Sequence, residues 1–446
     1  MNLLRLLNRK TFPHGIHPPQ YKEETRDKPT RRLAFPEQVI LPLQQNIGAP
    51  SIAIVRKGQM VERGELIAIA APDKLSVPLH ASVEGTVRDI TLMPTATGPK
   101  TRSSIIQTLP SSPQIPVTGE QQDYRQMSRE EIIAAIRDMG MVGLGGAEFP
   151  TYAKLATSMQ HDIHTVIANG CECEPFITTD FRVMLENVQN LLLGMRIVMK
   201  AVAAEKGIIA IEDNKLEVMT ALQAHLPEDG SIKVEVVETK YPQGAEQMLI
   251  YSLLGVALPK GKLPASLGLE VINVATVAEI GALLPNGQGF IERTVTITGD
   301  DLENPGNYRV PIGTSLQHIL DETGFVGEEA ELILGGPMMG QPVAFLDTPV
   351  HKGTGAVLVL DERATPNRNV QPCIKCAMCV EACPIHLNPS ALGLLAYKHR
   401  YQEMQEQFHL NNCFECGSCS FVCPSNIPLV QLFRVAKAMN RERKLQ

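Results

Sequence analysis

Hydrophobic residues between positions 125 and 290 fall into two alternating patterns. Short apolar runs predict strands, and longer stretches with an apolar residue every three or four positions predict helices. The predicted strands span 164–169, 207–213 and 232–239, and the predicted helices span 127–140, 181–202, 215–226 and 245–255. Strands and helices that alternate at this spacing predict a Rossmann-like α/β domain built on a parallel sheet.

Three non-helical segments of this domain are expected at one edge of the sheet, because ligands of parallel sheets bind beyond the carboxyl ends of the strands. They are the glycine-rich stretch at 140–155, "NGCECEP" at 169–175 and "KYPQGAEQ" at 240–247. Glycines let backbone N–H groups approach a phosphate or a flavin ring closely. The first segment is therefore a candidate cofactor loop.

Residues 39–115 contain short strand-like runs separated by glycines. Gly58, Gly64 and Gly85 are expected at turns between these strands. The stretch resembles the barrel-sandwich hybrid of biotinyl and lipoyl domains, in which a lysine at the place of Lys74 is lipoylated. Related electron-transfer subunits use this module as a scaffold, so an unmodified Lys74 is the favoured interpretation.

Residues 291–350 resemble a soluble-ligand-binding β-grasp (SLBB) domain. Two strands flank the turn at 305–306, and a helix capped at Thr314 follows. The stretch "GGPMMG" at 335–340 is expected to return the chain across the edge of this unit. The polar stretch at 361–372 is the predicted linker to the last domain.

Composition excludes several classes of protein. A chain of 446 residues is too long for one compact core, so several domains are expected. A formal charge of −7, the absence of tryptophan and an aromatic content of 4% disfavour nucleic-acid binding. No stretch has the roughly 18 apolar residues of a membrane span, and the N-terminus lacks the apolar region of a signal peptide. We expect a reducing cytoplasm, where cysteines are more often ligands than disulfides.

Eight of the ten cysteines form two copies of one motif near the end of the chain. Each copy has the spacing C-x2-C-x2-C-x3-C-P of two-cluster ferredoxins, in which the fourth cysteine of each run binds the other cluster. One [4Fe-4S] cluster is predicted on Cys373, Cys376, Cys379 and Cys423. The other is predicted on Cys383, Cys413, Cys416 and Cys419. Paired zinc sites are a weaker alternative, because zinc commonly uses separated C-x2-C pairs, and disulfides are weaker still.

The predicted ferredoxin domain spans 364–435 and holds an insert between its two cysteine runs. Leucines at helical spacing predict that the insert, at 387–410, is helical. After Pro428 the chain predicts an amphipathic helix with a basic tail at 436–446. A solvated terminal helix is favoured over a contact with a partner or a membrane surface.

The loops of the α/β domain resemble those of the NADH-binding flavoprotein subunit of respiratory complex I. The flavin loop of that subunit is similar to "GLGGAEFPTYAKL" at 143–155, and its next two cofactor loops are similar to 169–175 and 244–247, in the same order. "VINVATVAEI" at 271–280 is similar to the strand edge that places an asparagine beside the flavin. The resemblance implies an FMN- and NADH-binding domain at 125–290.

Nearly the whole chain resembles the RnfC family, whose members belong to the Rnf electron-transport complexes. In that family an N-terminal segment, which corresponds to 1–38 here and includes "FPHGIHPP" at 12–19, precedes the flavin domain and a two-cluster ferredoxin. The resemblance therefore explains why a ferredoxin module is fused to this α/β unit.

Individual site residues follow from these resemblances. The implied contacts of non-covalent FMN are Gly143, Gly145, Gly146, Lys154, Asn169 and Asn273. The implied contacts of NADH are Phe149, Glu174 and Glu246. Lys154 is expected near the FMN phosphate, and Glu174 is expected at the adenosine ribose. The two remaining cysteines, Cys171 and Cys173, are interpreted as lining the flavin loop.

The resemblance implies a peripheral subunit of an ion-translocating electron-transport complex on the cytoplasmic side of the cell inner membrane. Electrons would pass between NADH, FMN, the two clusters and the membrane subunits, in either direction. The expected partners are integral and peripheral subunits of that complex, with ferredoxin or flavodoxin indirectly and no nucleic acid. One alternative is a soluble diaphorase subunit of an NAD-linked hydrogenase or formate dehydrogenase, and another is a lipoyl-type carrier or scaffold.

Overall fold

The structure is a computed structural model, which describes residues 10–96, 98, 100–328, 330–361 and 369–445. Some predictions lie outside the described residues. They concern residues 1–9, residues 362–368 in the linker and at the start of the ferredoxin domain, and Gln446. No helix in the described ranges is long and apolar enough to cross a membrane.

The N-terminal third contains two small antiparallel sheets that share one hydrophobic core. Its strands are β1 (Arg31–Arg32), β2 (Gln38–Pro42), β3 (Ile52–Ala53), β4 (Met60–Val61), β5 (Leu66–Ile69), β6 (Leu79–His80), β7 (Gly85–Met93) and β8 (Thr101–Thr108). The first sheet has the order β2-β8-β7-β4, and the second has the order β3-β5-β6. The predicted barrel-sandwich hybrid is confirmed.

Two of the three glycines predicted at turns of this unit are at turns. Gly58 and Gly64 have φ values of 82° and 96° on either side of β4. The prediction for Gly85 is wrong, because this residue begins β7, and a Cβ there would lie 2.0 Å from the carbonyl oxygen of Gln107 on β8. Gly85 thus permits a close approach of two strands. Lys74 is exposed in the connection between β5 and β6, and its modification state stays a prediction.

The central domain is a parallel four-stranded sheet with helices between its strands. Its elements are α1 (Arg129–Asp138), α2 (Thr151–Ser158), β9 (Thr165–Gly170), α3 (Thr179–Glu186), α4 (Val188–Val202), β10 (Lys206–Glu212), α5 (Leu216–Gln223), β11 (Ile232–Val237), α6 (Glu246–Leu254), β12 (Leu269–Asn273) and α7 (Val274–Leu283). The strand order is β11-β10-β9-β12, with every pair parallel. The predicted parallel α/β sheet and the capping box of Ser128 and Glu131 are both confirmed.

The single helix predicted over 181–202 is two helices. The backbone of Asn187, with φ −119° and ψ 36°, leaves the helical region and separates α3 from α4. Asparagine favours such breaks, because its side chain competes for backbone hydrogen bonds. Beyond the break α4 packs closely on α7, since a Cβ at Gly194 would lie 1.9 Å from the carbonyl oxygen of Val277.

The β-grasp unit contributes most of a six-stranded mixed sheet. Its elements are β13 (Glu292–Gly299), β14 (Gly306–Pro311), α8 (Leu316–Thr323), β15 (Ala330–Leu334), β16 (Gln341–Val343) and β17 (Ala356–Asp361). The sheet order is β1-β14-β13-β17-β15-β16, so β1 of the N-terminal segment completes its edge. The predicted cap at Thr314 is wrong by one residue. Ser315 caps α8 by accepting a hydrogen bond from the N–H of His318, whereas the Thr314 hydroxyl donates to the carbonyl of Pro311.

The ferredoxin domain is small and mostly helical. Its helices are α9 (Met378–Glu381), α10 (Pro389–Tyr397), α11 (Tyr401–Glu406), α12 (Ser418–Phe421) and α13 (Leu429–Leu445). The insert between the cysteine runs is helical, as predicted. The prediction of a solvated terminal helix is wrong for the first half of α13, because Phe433 and Ala436 are buried in the domain core. The proposed boundary at residue 436 therefore falls inside a continuous helix.

Candidate functional site

The glycine loop (143–149) lies at the carboxyl edge of the parallel sheet. The N–H of its first residue donates to the carbonyl of its last, at 2.9 Å, and closes the loop. Gly146 has a φ of 94°, which favours glycine, and a Cβ at Gly145 would lie 3.4 Å from the Cβ of Asn273. Among the described residues, the N–H groups of Gly145 and Gly146 donate to no protein acceptor. Both residues are exposed, so they offer two donors to a phosphate.

A second loop follows β9 and packs against the segment before α6. The Asn169 side chain donates to the carbonyl of Gly244 at 2.8 Å, and it accepts from the N–H of Cys171. The N–H of Gly244 points at the sulfur of Cys173, 3.4 Å away. A Cβ at Gly244 would lie 2.5 Å from the Cys171 carbonyl oxygen, so only glycine fits here. Both cysteines therefore lie where the two loops meet.

Asn273 ends β12 and caps α7. Its side-chain oxygen accepts hydrogen bonds from the N–H groups of Ala275 and Thr276. Its amide nitrogen donates to the carboxylate of Asp180 at 2.7 Å, and burial raises the pKa of Asp180. With the glycine loop beside it, Asn273 lies at the predicted flavin edge, and Asp180 is an acidic neighbour that sequence analysis missed.

Lys154 and Glu246 were predicted to contact different ligands, yet they form an ion pair with each other. The Lys154 ammonium also donates to the carbonyl of Val271 and lies 3.8 Å from the carboxylate of Glu270. Burial alone would lower the pKa of Lys154, but the two glutamates raise it. Lys154 is therefore a fixed positive charge, and a phosphate would compete with carboxylates for it.

Glu174 holds a loop of the β-grasp unit. Its two carboxylate oxygens accept hydrogen bonds from the N–H groups of Met338 and Met339, at 3.2 and 2.8 Å. Burial raises the pKa of Glu174 to about 7, although the two hydrogen bonds act to lower it. Each oxygen retains a second lone pair, so the bonds leave acceptor capacity for a ligand hydroxyl. Phe149 is half-buried at the end of the glycine loop.

Arg293 is a buried contact of the glycine loop that sequence analysis did not find. Its guanidinium donates to the carbonyl of Leu144 at 2.7 Å and to the carbonyl of Thr354 at 2.8 Å. Burial lowers its pKa to about 10, and Asp180 is the nearby charge that most opposes this shift. Arg293 lies on a strand of the β-grasp unit, so no local motif connects it with the loop.

The first predicted cysteine set surrounds one cavity of about 440 Å³. Its thiols are Cys373, Cys376, Cys379 and Cys423. Apolar side chains, among them Ile374 and Leu394, line the rest of the cavity. The chain thus brings the last cysteine of the second run to the first three cysteines of the first run.

The second predicted set also combines three cysteines of one run with one cysteine of the other run. Cys383 and Cys419 are each 8% exposed and lie in one hydrophobic cluster. Burial raises the pKa of Cys419, and the neighbouring thiols of Cys416, Cys413 and Cys383 raise it further, in that order. Cys383 therefore neighbours the second run, as the ferredoxin pattern requires.

Each thiol set has the four cysteines that a [4Fe-4S] cluster requires. Within the part of the chain that the structure describes, no group of three His, Cys, Asp or Glu side chains is arranged to hold one metal ion. A zinc ion would draw four sulfurs to about 2.3 Å from one centre. In a [4Fe-4S] cluster each thiolate binds a different iron, so the four sulfurs are spread around a larger body.

A flavin-type α/β domain, a β-grasp unit and two ferredoxin-type cysteine sets define a flavin and iron–sulfur electron-transfer subunit. Four family models match the chain: the RnfC barrel sandwich hybrid domain at 10–109, the Nuo51 FMN-binding domain at 136–282, the SLBB domain at 294–342 and the 4Fe-4S dicluster domain at 372–427. The chain belongs to the RnfC family, the C subunits of ion-translocating oxidoreductase complexes.

Relatives support this assignment over nearly the whole chain. It is 38% identical over 433 residues to the C subunit of the proton-translocating ferredoxin:NAD(+) oxidoreductase complex of Clostridium ljungdahlii, covering 97% of this chain and 94% of the relative. It is 40% identical over 410 residues to the C subunit of the Na(+)-translocating ferredoxin:NAD(+) oxidoreductase complex of Acetobacterium woodii, covering 91% and 90%. The match to the C subunit of the ion-translocating oxidoreductase complex of Edwardsiella ictaluri, at 38% identity, covers 96% of this chain but 53% of the relative.

Solved structures with a similar fold are more distant. An NAD+-reducing [NiFe]-hydrogenase in the H2-reduced state matches with a TM-score of 0.52 and 19% identity, over 71% of this chain and 63% of that chain. The air-oxidized state matches with a TM-score of 0.53. At this identity the likeness shows a shared fold.

Proposed function

We propose that the chain is the NADH-oxidising or NAD-reducing subunit of a membrane-bound, ion-translocating electron-transport complex. It would act as a peripheral subunit at the cytoplasmic side of the cell inner membrane. Its partners would be the integral and peripheral subunits of that complex, which pass electrons to or from ferredoxin or flavodoxin. The names of the relatives, which are subunits of ferredoxin:NAD(+) oxidoreductases, support this proposal.

The observation behind the proposal is the position of the glycine loop beside the ends of β9 and β12. A Cβ at Gly145 would lie 3.4 Å from the Cβ of Asn273, and Asn169 joins the loop before α6. The exposed N–H groups of Gly145 and Gly146 would bind the phosphate of FMN. The side chains of Asn169 and Asn273 would face its ring system.

When bound, FMN supplies the chemistry that joins a two-electron hydride donor to one-electron iron–sulfur clusters. The chain's own task is placement. Arg293 and Thr276 hold the backbone of Leu144 and so fix the glycine loop before a ligand binds. A loop fixed in this way binds a ligand with less loss of conformational entropy.

Three residues form the proposed NADH contacts. Phe149 is the last residue of the glycine loop, and Glu246 is the first residue of α6. Glu174 is half-buried beside the loop of the β-grasp unit that contains Met338. A carboxylate suits a ribose diol, because two oxygens can accept from two hydroxyls.

Glu174→Gln should raise KM for NADH about tenfold or more, because a charge-assisted hydrogen bond is worth roughly 1.5–3 kcal/mol. The kcat and the FMN content should change little. Because the pKa of Glu174 is raised to about 7, the accepting carboxylate prevails above that pH. KM in the native chain should therefore fall as pH rises through 7, and KM in the Gln variant should not.

The Glu174 prediction needs a control for the bonds to Met338 and Met339. A Cβ at Gly336 would lie 2.3 Å from the Glu174 carboxylate, so Gly336→Ala disturbs that contact and keeps the carboxylate. An equal rise of KM in both variants would assign Glu174 to holding the loop. A normal KM in Glu174→Gln would remove it from the NADH site.

The proposed function is tested by purifying the chain from membranes under anaerobic conditions. We expect integral membrane subunits to co-purify, with one FMN and about eight irons per chain. A soluble complex with hydrogenase or formate dehydrogenase subunits would instead support the diaphorase alternative. The hydrogenase structures have a fold similar to that of this chain. Stoichiometric zinc without iron would refute the electron-transfer function.

A further inference from the structure

The N-terminal strap (12–19) lies against the loop that precedes α6. Ile16 and Tyr241 exchange both backbone hydrogen bonds, each at 2.9 Å. Gly15, with a φ of 76°, makes this approach possible, because a Cβ there would lie 2.7 Å from the carbonyl oxygen of Tyr241. The strap is therefore joined to the flavin domain through Tyr241.

The other side of the strap contacts the ferredoxin domain. A ring nitrogen of His14 lies 2.7 Å from the carbonyl oxygen of Glu381. The ring of His14 also meets the ring of His386 edge-on, with centroids 4.5 Å apart. Glu381 precedes Cys383 by two positions. The strap thus bridges the flavin domain and the chain around one predicted cluster ligand.

Tyr241 itself reaches the second cysteine run. Its hydroxyl donates to the carbonyl oxygen of Cys416 at 2.5 Å, and the residue is only 1% exposed. Its apolar neighbours come from four parts of the chain, and they include Ile16, Cys173, Met338, Ala382 and Val422. A side chain so enclosed has one conformation, so it sets the distance between the loops that it joins.

A second contact joins the second cysteine run to the loop of the β-grasp unit that contains Met338. A Cβ at Gly417 would lie 2.8 Å from the carbonyl oxygen of Met338, so these backbones touch. The N–H of Met338 in turn donates to Glu174 of the flavin domain. The segment at 413–419 is therefore held by Tyr241 of the flavin domain and by Met338 of the β-grasp unit.

We propose that Tyr241 and the N-terminal strap are positioning elements that fix the second cysteine set beside the flavin site. This inference rests on the proposed function, because a fixed separation between the flavin site and the cysteine set matters when electrons cross between the two domains. It assigns the flavin-facing position to the cysteine set made of Cys383, Cys413, Cys416 and Cys419.

Tyr241→Phe tests this inference, because it removes only the hydroxyl. In rapid mixing of the holoprotein with NADH, we expect bleaching of the flavin at the native rate. Bleaching of the iron–sulfur absorbance should follow about tenfold more slowly or worse, the scale of loss expected for a misplaced reacting pair. FMN and iron contents should match those of the native chain. Tyr251→Phe, on α6 of the same domain, is the matched control.

A second measurement does not depend on turnover. Backbone amides at 413–419 should exchange with deuterium about fivefold faster in Tyr241→Phe, as expected for one lost neutral hydrogen bond. Gly15→Val should have the same effects, since it separates the strap from Tyr241. If the Tyr241→Phe variant loses iron, the Gly15→Val variant replaces it as the test of the inference.

Native exchange at 413–419 and a native rate of iron–sulfur bleaching would overturn the inference. The failure of the proposed function is distinguishable, because NADH would then bleach no flavin in the native chain. In that case the exchange comparison still decides whether Tyr241 and the strap hold the ferredoxin domain.

Discussion

Cys383→Ala is expected to lower the iron content from about eight to about four per chain, because one of two [4Fe-4S] clusters loses a ligand. Cys383 belongs to the first run by sequence, yet its thiol neighbours those of Cys416 and Cys419 in space. The cluster lost should therefore be that of the second run. Iron, acid-labile sulfide and the electron paramagnetic resonance of the reduced protein measure the loss.

Paired variants separate crossed from local ligation. If Cys383 and Cys416 bind one cluster, the double variant Cys383→Ala/Cys416→Ala still retains about four irons. If ligation is local, that double variant loses both clusters. Cys383→Ala/Cys376→Ala should behave in the opposite way, with both clusters lost in the crossed arrangement.

A control and a contradicting outcome complete the cysteine series. Cys171→Ala removes a buried thiol outside the two runs, and it should leave the iron content at about eight per chain. About four irons in Cys383→Ala/Cys376→Ala would contradict the crossed assignment. It would mean that the helical insert has changed the ferredoxin topology.

Local sequence patterns predicted the elements of this chain well. The capping box of Ser128 fixed the start of α1 because it depends on residues three positions apart. The parallel pairing of β9, β10 and β11 followed from the alternation of strands and helices. The errors at Asn187 and Thr314 concern single residues at helix ends, where neighbouring polar side chains compete for the same backbone groups.

The candidate site was less predictable, because its contacts join distant parts of the chain. Arg293 and Leu144 are 149 positions apart, and Tyr241 and Cys416 are 175 positions apart. No periodicity or motif relates such pairs. The ion pair of Lys154 and Glu246 was also not predicted, because the resemblance assigned the two residues to different ligands. The cysteine sets were predictable because the ligand spacing itself defines the cluster.

A graded series at Gly145 tests the flavin loop. A Cβ there would contact Asn273 at 3.4 Å, an ordinary van der Waals distance, so Gly145→Ala should retain FMN. Gly145→Arg should abolish FMN retention, because the long side chain fills the space beside the exposed N–H groups of the loop. Overpacking of this kind typically costs about 1–3 kcal/mol even where side chains can shift.

FMN content is measured by the fluorescence of flavin released on denaturation of the purified variants. The two [4Fe-4S] clusters serve as an internal folding control, since the ferredoxin domain is remote from Gly145 in sequence and has its own hydrophobic core. We therefore expect Gly145→Arg to keep its iron and lose its flavin, with NADH no longer reducing the clusters. Full FMN content in Gly145→Arg would mean that the flavin is bound elsewhere than at the glycine loop.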